Sequence, residues 1–190
     1  IWLAISRDDP PARGKHTAIT QLKPVLLTIS TPEDIDAYIE RKPAAQRLLT
    51  KAIRLCYQAY EQGALLSNCD LAVLLSSDDT QISHLITQYE REIGKIVPRR
   101  ATLHDVGTGL THKRIICWKR FAEGKSSEQI ARETYHSLEA VDHYLGQYDR
   151  VRHCHSQGMP VEEISYVLGI SRKLVREYVE LDEELEREND

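Results

Sequence analysis

Three cations at the start of a predicted helix are the residues of this sequence best suited to bind nucleic acid. In GISRKLVREY, residues 169–178, Ser171 is a candidate N-cap, and Arg172, Lys173 and Arg176 fall on the polar side of the helix. Cationic side chains bind phosphates, and arginine or lysine can pair with the edge of guanine in the major groove. The pattern is typical of a DNA recognition helix, although a solvated amphipathic helix has the same composition.

The most basic stretch of the chain lies upstream, at residues 94–114, where glycine and proline interrupt any helical periodicity. Two interpretations stay open for it: an arm or wing that contacts phosphates or the minor groove, or a solvated linker between domains. Together with the three cations of the predicted helix, its basic residues complete the predicted DNA contacts. These are Lys95, Arg99, Arg100, Lys113 and Arg114.

Patterns for catalysis or metal binding are weaker. The HCH at residues 153–155 would alternate across the end of a helix, and no second pair has the spacing of a zinc site. His104, Asp105 and His112 cluster in the basic stretch without a second motif that supports them. The sequence has no phosphate-cradling glycine loop and no nucleophile elbow. We therefore predict that the protein is not an enzyme and holds neither metal nor cofactor.

An internal repeat gives the basic helix its structural setting. GKSSEQIARETYHSLEAVDHYL (124–145) and GMPVEEISYVLGISRKLVREYV (158–179) share six residue types at the same offsets, 34 residues apart. The pattern predicts a glycine at the end of a long helix, then a short helix, a tight turn and a further helix that begins at a serine. This order of elements is that of a trihelical helix-turn-helix unit.

A fainter copy of the repeat lies in DLAVLLSSDDTQISHLITQY (70–89), shifted by 59 residues from the middle copy, and a helix over about 44–62 precedes it. A period of 34 residues is also that of tetratricopeptide repeats, which bind peptides. Those repeats need two helices of similar length, whereas the helices predicted here are unequal. The helix-turn-helix interpretation is therefore favoured.

The copies differ in charge, which predicts that the third is the best suited of them to read DNA. At the exposed positions of its last helix, the second copy has acidic residues where the third has cations, so it is expected to pack against a neighbour or a partner protein. Both copies should bury their valine against their isoleucine. The residues concerned are Leu138, Glu139, Asp142 and His143 at the exposed positions, and Val141 with Ile130 and Val175 with Ile164 in the core.

The predicted fold is mainly α, with tandem trihelical helix-turn-helix units and a small N-terminal β element. KPVLLTIS (23–30) has the pattern of a strand, and residues 32–41 that of a short helix. Because the chain begins with Ile1 and not methionine, we expect a longer N-terminal region to precede it. The predicted segments are a strand and helix at 1–43, copy 1 at 44–94, the linker or wing at 95–112, copy 2 at 113–148, copy 3 at 149–181 and an acidic tail at 182–190.

The net charge of −4 hides a mildly basic body, because residues 177–190 contain eight acids and one arginine. Two outcomes are open for this end of the chain. Either the helix continues through Leu181 and Leu185 and its acids compete with DNA, or the tail is a disordered solubilising extension. No apolar run approaches the roughly 20 residues that span a bilayer, and the four scattered cysteines predict reduced thiols in the cytoplasm.

Four stretches resemble a prokaryotic family known as domain of unknown function 1670: DLAVLL, HDVGTGLTHKR, YHSLEAVDHYL and SRKLVREYVEL. The likeness extends over about residues 20–182, with D-x-G-x-G-x-T-H-K at 105–113 and H-S-x-x-A-V at 136–141 as its most specific motifs. The family name implies no activity. The units are also similar to those of sigma-factor and transposon-associated DNA-binding proteins, which is an analogy of fold.

From these patterns we predict a DNA-binding protein that acts as a transcriptional regulator. Its predicted partners are double-stranded DNA and, in a homo-oligomer, a second copy of the chain. We predict no association with a membrane. Two alternatives stay open. One is a protein-interaction scaffold built of helix-turn-helix-like units, and the other is an accessory DNA-binding protein of a mobile element.

Overall fold

The computed structural model of the chain describes residues 1–9, 16–100 and 110–189. The chain divides into two compact units, Ile1–Thr108 (unit 1) and Gly109–Asp190 (unit 2). Within the described residues, nine α-helices and one three-stranded sheet make up most of the structure. The prediction of a mainly helical fold with a small N-terminal β element is therefore confirmed.

Unit 1 holds the sheet and four helices. Its helices are α1 (Pro32–Ile39), α2 (Ala44–Glu61), α3 (Asn68–Leu75) and α4 (Asp79–Ile93). Its strands are β1 (Trp2–Ser6), β2 (Leu22–Val25) and β3 (Ala64–Leu65), in the antiparallel order β2-β1-β3, with Trp2 opposite Val25 and Ile5 opposite Leu65. Apolar residues of the sheet, α2, α3 and α4 form one core.

The strand β2 is shorter than the sequence predicts. After Val25 the backbone makes hydrogen bonds with the side chains of Gln58 in α2 and of Gln62, which directly follows α2. The Leu26 backbone N–H donates to Gln62 Oε1 at 2.8 Å, and the Thr28 N–H donates to Gln58 Oε1 at 2.9 Å. The Leu26 carbonyl in turn accepts from Gln62 Nε2 at 2.8 Å. These amide contacts satisfy the extended chain after Val25 without a neighbouring strand.

Unit 2 consists of helices packed around one apolar core. In chain order they are α5 (Leu110–Phe121), α6 (Ser127–Thr134), α7 (Leu138–Ser156), α8 (Val161–Leu168) and α9 (Arg172–Asn189). Helix α9 packs against α5, α7 and α8. The predicted core positions Ile130, Val141, Ile164 and Val175 are all fully buried in this one cluster, which confirms their predicted burial.

One local geometry occurs three times in the part of the chain that the structure describes. Helices α3, α6 and α8 each have eight residues, and each is followed by a C-cap residue in the left-handed region: Ser76, Tyr135 and Gly169. One further residue separates each of these from the N-cap of the next helix. The caps are Asp78, Ser137 and Ser171, whose side-chain oxygens accept from the N–H groups of Gln81, Ala140 and Leu174 at 2.9, 3.1 and 3.2 Å.

The acidic end of the chain is helical and packed. Helix α9 runs to Asn189, and Leu181 and Leu185 are 0% and 4% exposed within the core of unit 2. The Tyr148 hydroxyl donates to Asp182 Oδ1 at 2.5 Å, and burial together with this carboxylate raises the pKa of Tyr148. Of the two outcomes considered for this end, the disordered extension is therefore wrong for residues up to Asn189.

Candidate nucleic-acid interface

The first turns of α9 present a cationic face. Arg172, Lys173 and Arg176 are exposed, whereas Leu174 and Val175 on the other side of the helix are buried. The sequence prediction that the three cations face solvent together is confirmed. The helix period explains the arrangement: at about 100° per residue, the three cations fall within an arc of about 100°, and Leu174 and Val175 lie more than about 100° from its centre.

The electrostatics of this helix end favour an anion. No acidic residue occupies the first turn of α9, where the helix dipole places its positive end. One carboxylate lies nearby: Glu162 Oε1 of α8 is 4.0 Å from Arg176 Nη2, and both side chains are more than half exposed. An exposed ion pair at that distance contributes little, so Arg176 can turn to another anion at small cost.

The two cations predicted on α5 have partners within unit 2. Lys113 Nζ lies 5.0 Å from the centre of the Tyr144 ring, a cation–π distance. Arg114 forms an ion pair with Glu184 of α9. Because these contacts hold both side chains to their own unit, Lys113 and Arg114 are weaker candidates for DNA contact than the cations of α9.

The three cations predicted in unit 1 are in three different environments. Lys95 is exposed. Arg100 Nη1 lies 3.3 Å from the buried carboxylate of Asp9. Arg99 is only 5% exposed, and its guanidinium donates to Glu90 Oε2 at 3.2 Å and to Asn68 Oδ1 at 2.9 Å.

Arg99 is therefore corrected from a predicted DNA contact to a buried structural residue. The segment around it does not project as an arm, since Ile96 and Val97 are fully buried. In the rest of the predicted linker or wing, residues 101–109 lie outside the described residues, and residues 110–112 belong to the first turn of α5. Four of the eight predicted contacts are exposed cations to which the structure gives no buried partner: Arg172, Lys173, Arg176 and Lys95.

Sequence reasoning passed over a second group of cations, which flanks α1 and the start of α2. Arg41 and Lys42 follow α1, and Arg47 lies in the first turn of α2 with its guanidinium 4.8 Å from the centre of the Tyr38 ring. The signal in the sequence was the pair of adjacent cations at 41–42 directly after a helix with apolar residues at 35, 38 and 39, but the helix-turn-helix pattern does not include it.

The described residues offer little for other chemistry. They contain no group of three histidine, cysteine or acidic side chains that could hold a metal ion; His104 and Asp105, considered for such a role, fall outside them. Burial raises the pKa of the Cys56 thiol to about 12, which suits a packing residue and not a nucleophile. In this part of the chain, none of the helices has the length and apolar character needed to cross a membrane.

Comparison with known proteins identifies one family. A family model described as "Protein of unknown function (DUF1670)" matches residues 1–181, so the match spans unit 1 and most of unit 2. The resemblance seen in the sequence over about residues 20–182 is thus confirmed and reaches the first residue. No curated protein and no solved structure matches the chain.

Proposed function

The chain belongs to the DUF1670 family, whose name specifies no activity. From the geometry of unit 2, we propose that it is a DNA-binding protein that acts as a transcriptional regulator. In this proposal the protein works in the cytoplasm and is not an enzyme. In this proposal α8, the turn at residues 169–171 and α9 form a helix-turn-helix, and the first turns of α9 enter the major groove. The observation that carries the proposal is the exposure of Arg172, Lys173 and Arg176 together on the first turns of α9.

The spacing of these cations suits a groove. Arg172 and Arg176 are one helical turn apart on one face, about 6 Å along the axis, so they can reach edges of neighbouring base pairs. We assign them to guanine and Lys173 to the phosphate backbone, because arginine pairs with guanine through two parallel hydrogen bonds. The acidic C-terminal half of α9 has to stay away from the phosphates, which allows only the N-terminal turns into the groove.

The other two copies of the local geometry are not proposed to read DNA. At positions equivalent to the cations of α9, helix α7 exposes Glu139 and Asp142, and carboxylates there would be repelled by phosphates. This observation favours the second candidate function, a scaffold that binds protein, for the turn between α6 and α7. The two functions are compatible because they use different turns.

Replacing both arginines of α9 tests the proposal. Binding of the unaltered protein to a random pool of DNA duplexes, followed by sequencing, supplies the target site. We expect Arg172→Ala with Arg176→Ala to weaken binding to that site by about 1–3 kcal/mol per arginine, through loss of base pairing and of charge. A fluorescence titration at moderate salt measures the change.

The matched control is Arg132→Ala with Arg150→Ala, which removes two exposed cations of unit 2 outside α9. It should leave the discrimination between target and random DNA unchanged. Equal losses in both double variants would assign the effect to net charge. Unchanged affinity after loss of Arg172 and Arg176, or an unaltered protein that binds no duplex at low salt, would remove the proposal and leave the scaffold.

The acids of α9 should lower affinity for nonspecific DNA. Glu180, Glu183 and Glu186 are exposed, and their replacement by glutamine keeps the packed face of the helix intact. We expect the triple variant to bind random duplex DNA several-fold more tightly at low salt, because repulsion between carboxylates and phosphates is lost. The gain should disappear as salt rises, since screening acts over about 10 Å at 0.1 M.

The control for this experiment is Asp36→Asn with Glu61→Gln and Glu92→Gln, which removes three exposed acids from unit 1. If the control gains as much affinity as the α9 variant, net charge and not position sets the effect. A salt-independent gain would argue against a Coulombic cause.

A further inference from the structure

Helix α1 carries an apolar face that the structure leaves open. None of its residues is buried, and Ile35, Tyr38 and Ile39 are 59%, 70% and 71% exposed. Their spacing of i, i+3 and i+4 puts them on one side of the helix. Helix α1 is attached to unit 1 through Asp34, which receives two hydrogen bonds from Arg54 at 2.6 and 3.0 Å. Apolar packing is therefore not what holds this helix, and its apolar side is available.

Cations surround this apolar face, and together they form the basic apolar patch: Ile35, Tyr38, Ile39, Arg41, Lys42 and Arg47. Lys42 pairs with Glu40 at 3.0 Å. Arg41 and Arg47 form no ion pair with any residue that the structure describes, and Arg47 lies over the Tyr38 ring. Because the Lys42–Glu40 pair is neutral, the patch keeps two positive charges beside its apolar side chains.

Helix α8 carries a face of the opposite charge, the acidic apolar patch: Glu162, Glu163, Tyr166 and Val167. All four residues are exposed, Tyr166 to 89% and Val167 to 58%. The buried residue Ile164 anchors the other side of the same helix in the core of unit 2. An aromatic side chain that is 89% exposed buries little surface in its own unit, whereas such residues are enriched at protein interfaces.

We propose that the acidic apolar patch of one copy of the chain docks onto the basic apolar patch of a second copy. Each patch combines exposed apolar side chains with charge, and the charges are of opposite sign, so one contact buries both apolar faces and pairs the two arginines with the two glutamates. The presence of both halves on one polypeptide selects a second copy over an unrelated partner. The inference goes beyond the proposed function, because neither patch includes a cation of α9.

The two patches differ, so the contact is heterologous, and repetition of it joins copies head to tail into a chain or a ring. Two short helix faces bury far less than the roughly 1,200 Å² of a stable interface. Association should therefore be weak in free solution, becoming visible in the range of about 10–500 μM. Neighbouring copies on one DNA molecule would associate more readily, because their local concentration is raised.

A charge exchange between two variants tests the contact without DNA. Variant A carries Lys42→Glu with Arg47→Glu, and variant B carries Glu162→Lys with Glu163→Lys. Each variant alone presents two patches of the same sign, so we expect self-association to weaken at least ten-fold in sedimentation velocity. In an equimolar mixture, the acidic patch made in variant A meets the basic patch made in variant B, and association should return to the level of the unaltered chain.

The matched control for variant B is Glu139→Lys with Asp142→Lys, which makes the same charge change as variant B on exposed positions of α7. It should leave association unchanged. Thermal melting of each variant shows that it is folded. The proposal is overturned if the unaltered chain stays monomeric at about 500 μM, if folded variants A and B associate like the unaltered chain, or if their mixture stays monomeric. Glu162 lies 4.0 Å from Arg176, so DNA binding is tested separately, in chains that keep both glutamates of α8, and the two proposals can fail independently.

Discussion

Glu90→Ala is expected to lower the free energy of unfolding of unit 1 by about 3–5 kcal/mol, because it leaves the charge of Arg99 buried without its counterion. The Glu90 side chain is 1% exposed and that of Arg99 is 6% exposed, and Oε2 of the carboxylate lies 3.2 Å from Nη2 of the guanidinium. The other carboxylate oxygen accepts the Val97 backbone N–H at 2.9 Å. The substitution therefore removes an ion pair and orphans a buried amide at once.

The chain has one tryptophan in each unit, Trp2 and Trp118, so fluorescence can follow unit 1 alone in a Trp118→Phe background during urea unfolding. The control Glu92→Ala changes an exposed glutamate on the same helix and should cost less than about 0.5 kcal/mol. Glu90→Gln, which keeps an acceptor for Val97, separates the loss of charge from the loss of the hydrogen bond. A cost below about 1 kcal/mol for Glu90→Ala would contradict the buried ion pair.

Ending the chain after Val179 is expected to lower the stability of unit 2 by about 3–6 kcal/mol, because two buried leucines are lost. Leu181 and Leu185 lie in the same core as Val175. The truncation also removes Asp182, which accepts from the buried Tyr148 hydroxyl. A chain shortened in this way is a poor test of how acidic charge affects DNA binding, since it changes the fold along with the charge.

Urea unfolding followed by Trp118 in a Trp2→Phe background measures this loss. The control ends after Arg187, which keeps both leucines and Asp182, and its stability should stay near that of the full chain. Leu181→Ala should reproduce a large part of the effect, about 2–5 kcal/mol, without changing any charge. If the chain ending at Val179 unfolds at the same urea concentration as the control, the packing of the last turns of α9 is not what stabilises unit 2.

Short-range signals in the sequence were enough to predict most of the helical architecture. The box of Ser126 and Gln129 forms as expected, with the serine N–H donating to the glutamine Oε1 at 3.0 Å and the glutamine N–H donating to the serine Oγ at 3.3 Å. The cap at Asp78 and the burial of the repeated isoleucines and valines follow the same logic. The caps depend on residues within one helical turn, and the buried positions on helical periodicity and the repeat, which a sequence displays directly.

Long-range pairing of charge could not be predicted in the same way. Whether a cation is available depends on which carboxylate the fold brings to it, and Arg114 meets Glu184, which is 70 residues away in sequence. Arg99 meets Glu90 across the end of α4, a contact that only the path of residues 94–99 creates. The cations of α9 stayed exposed because the helix period itself turns them away from the core, so that part of the candidate site was readable from the sequence.

Helix α7 belongs to two copies of the repeat at once, so its length determines the rotation and the distance between them. Its 19 residues begin directly after the turn at 135–137, and residues 157–160 and α8 connect its other end to the turn at 169–171. The helix therefore spaces the two turn-bearing segments by about 28 Å of helix axis. One inserted residue would rotate one turn relative to the other by about 100° and displace it by about 1.5 Å. The number of residues in α7 therefore determines the relative orientation of the two turns, and with it which surfaces of unit 2 lie on the same side.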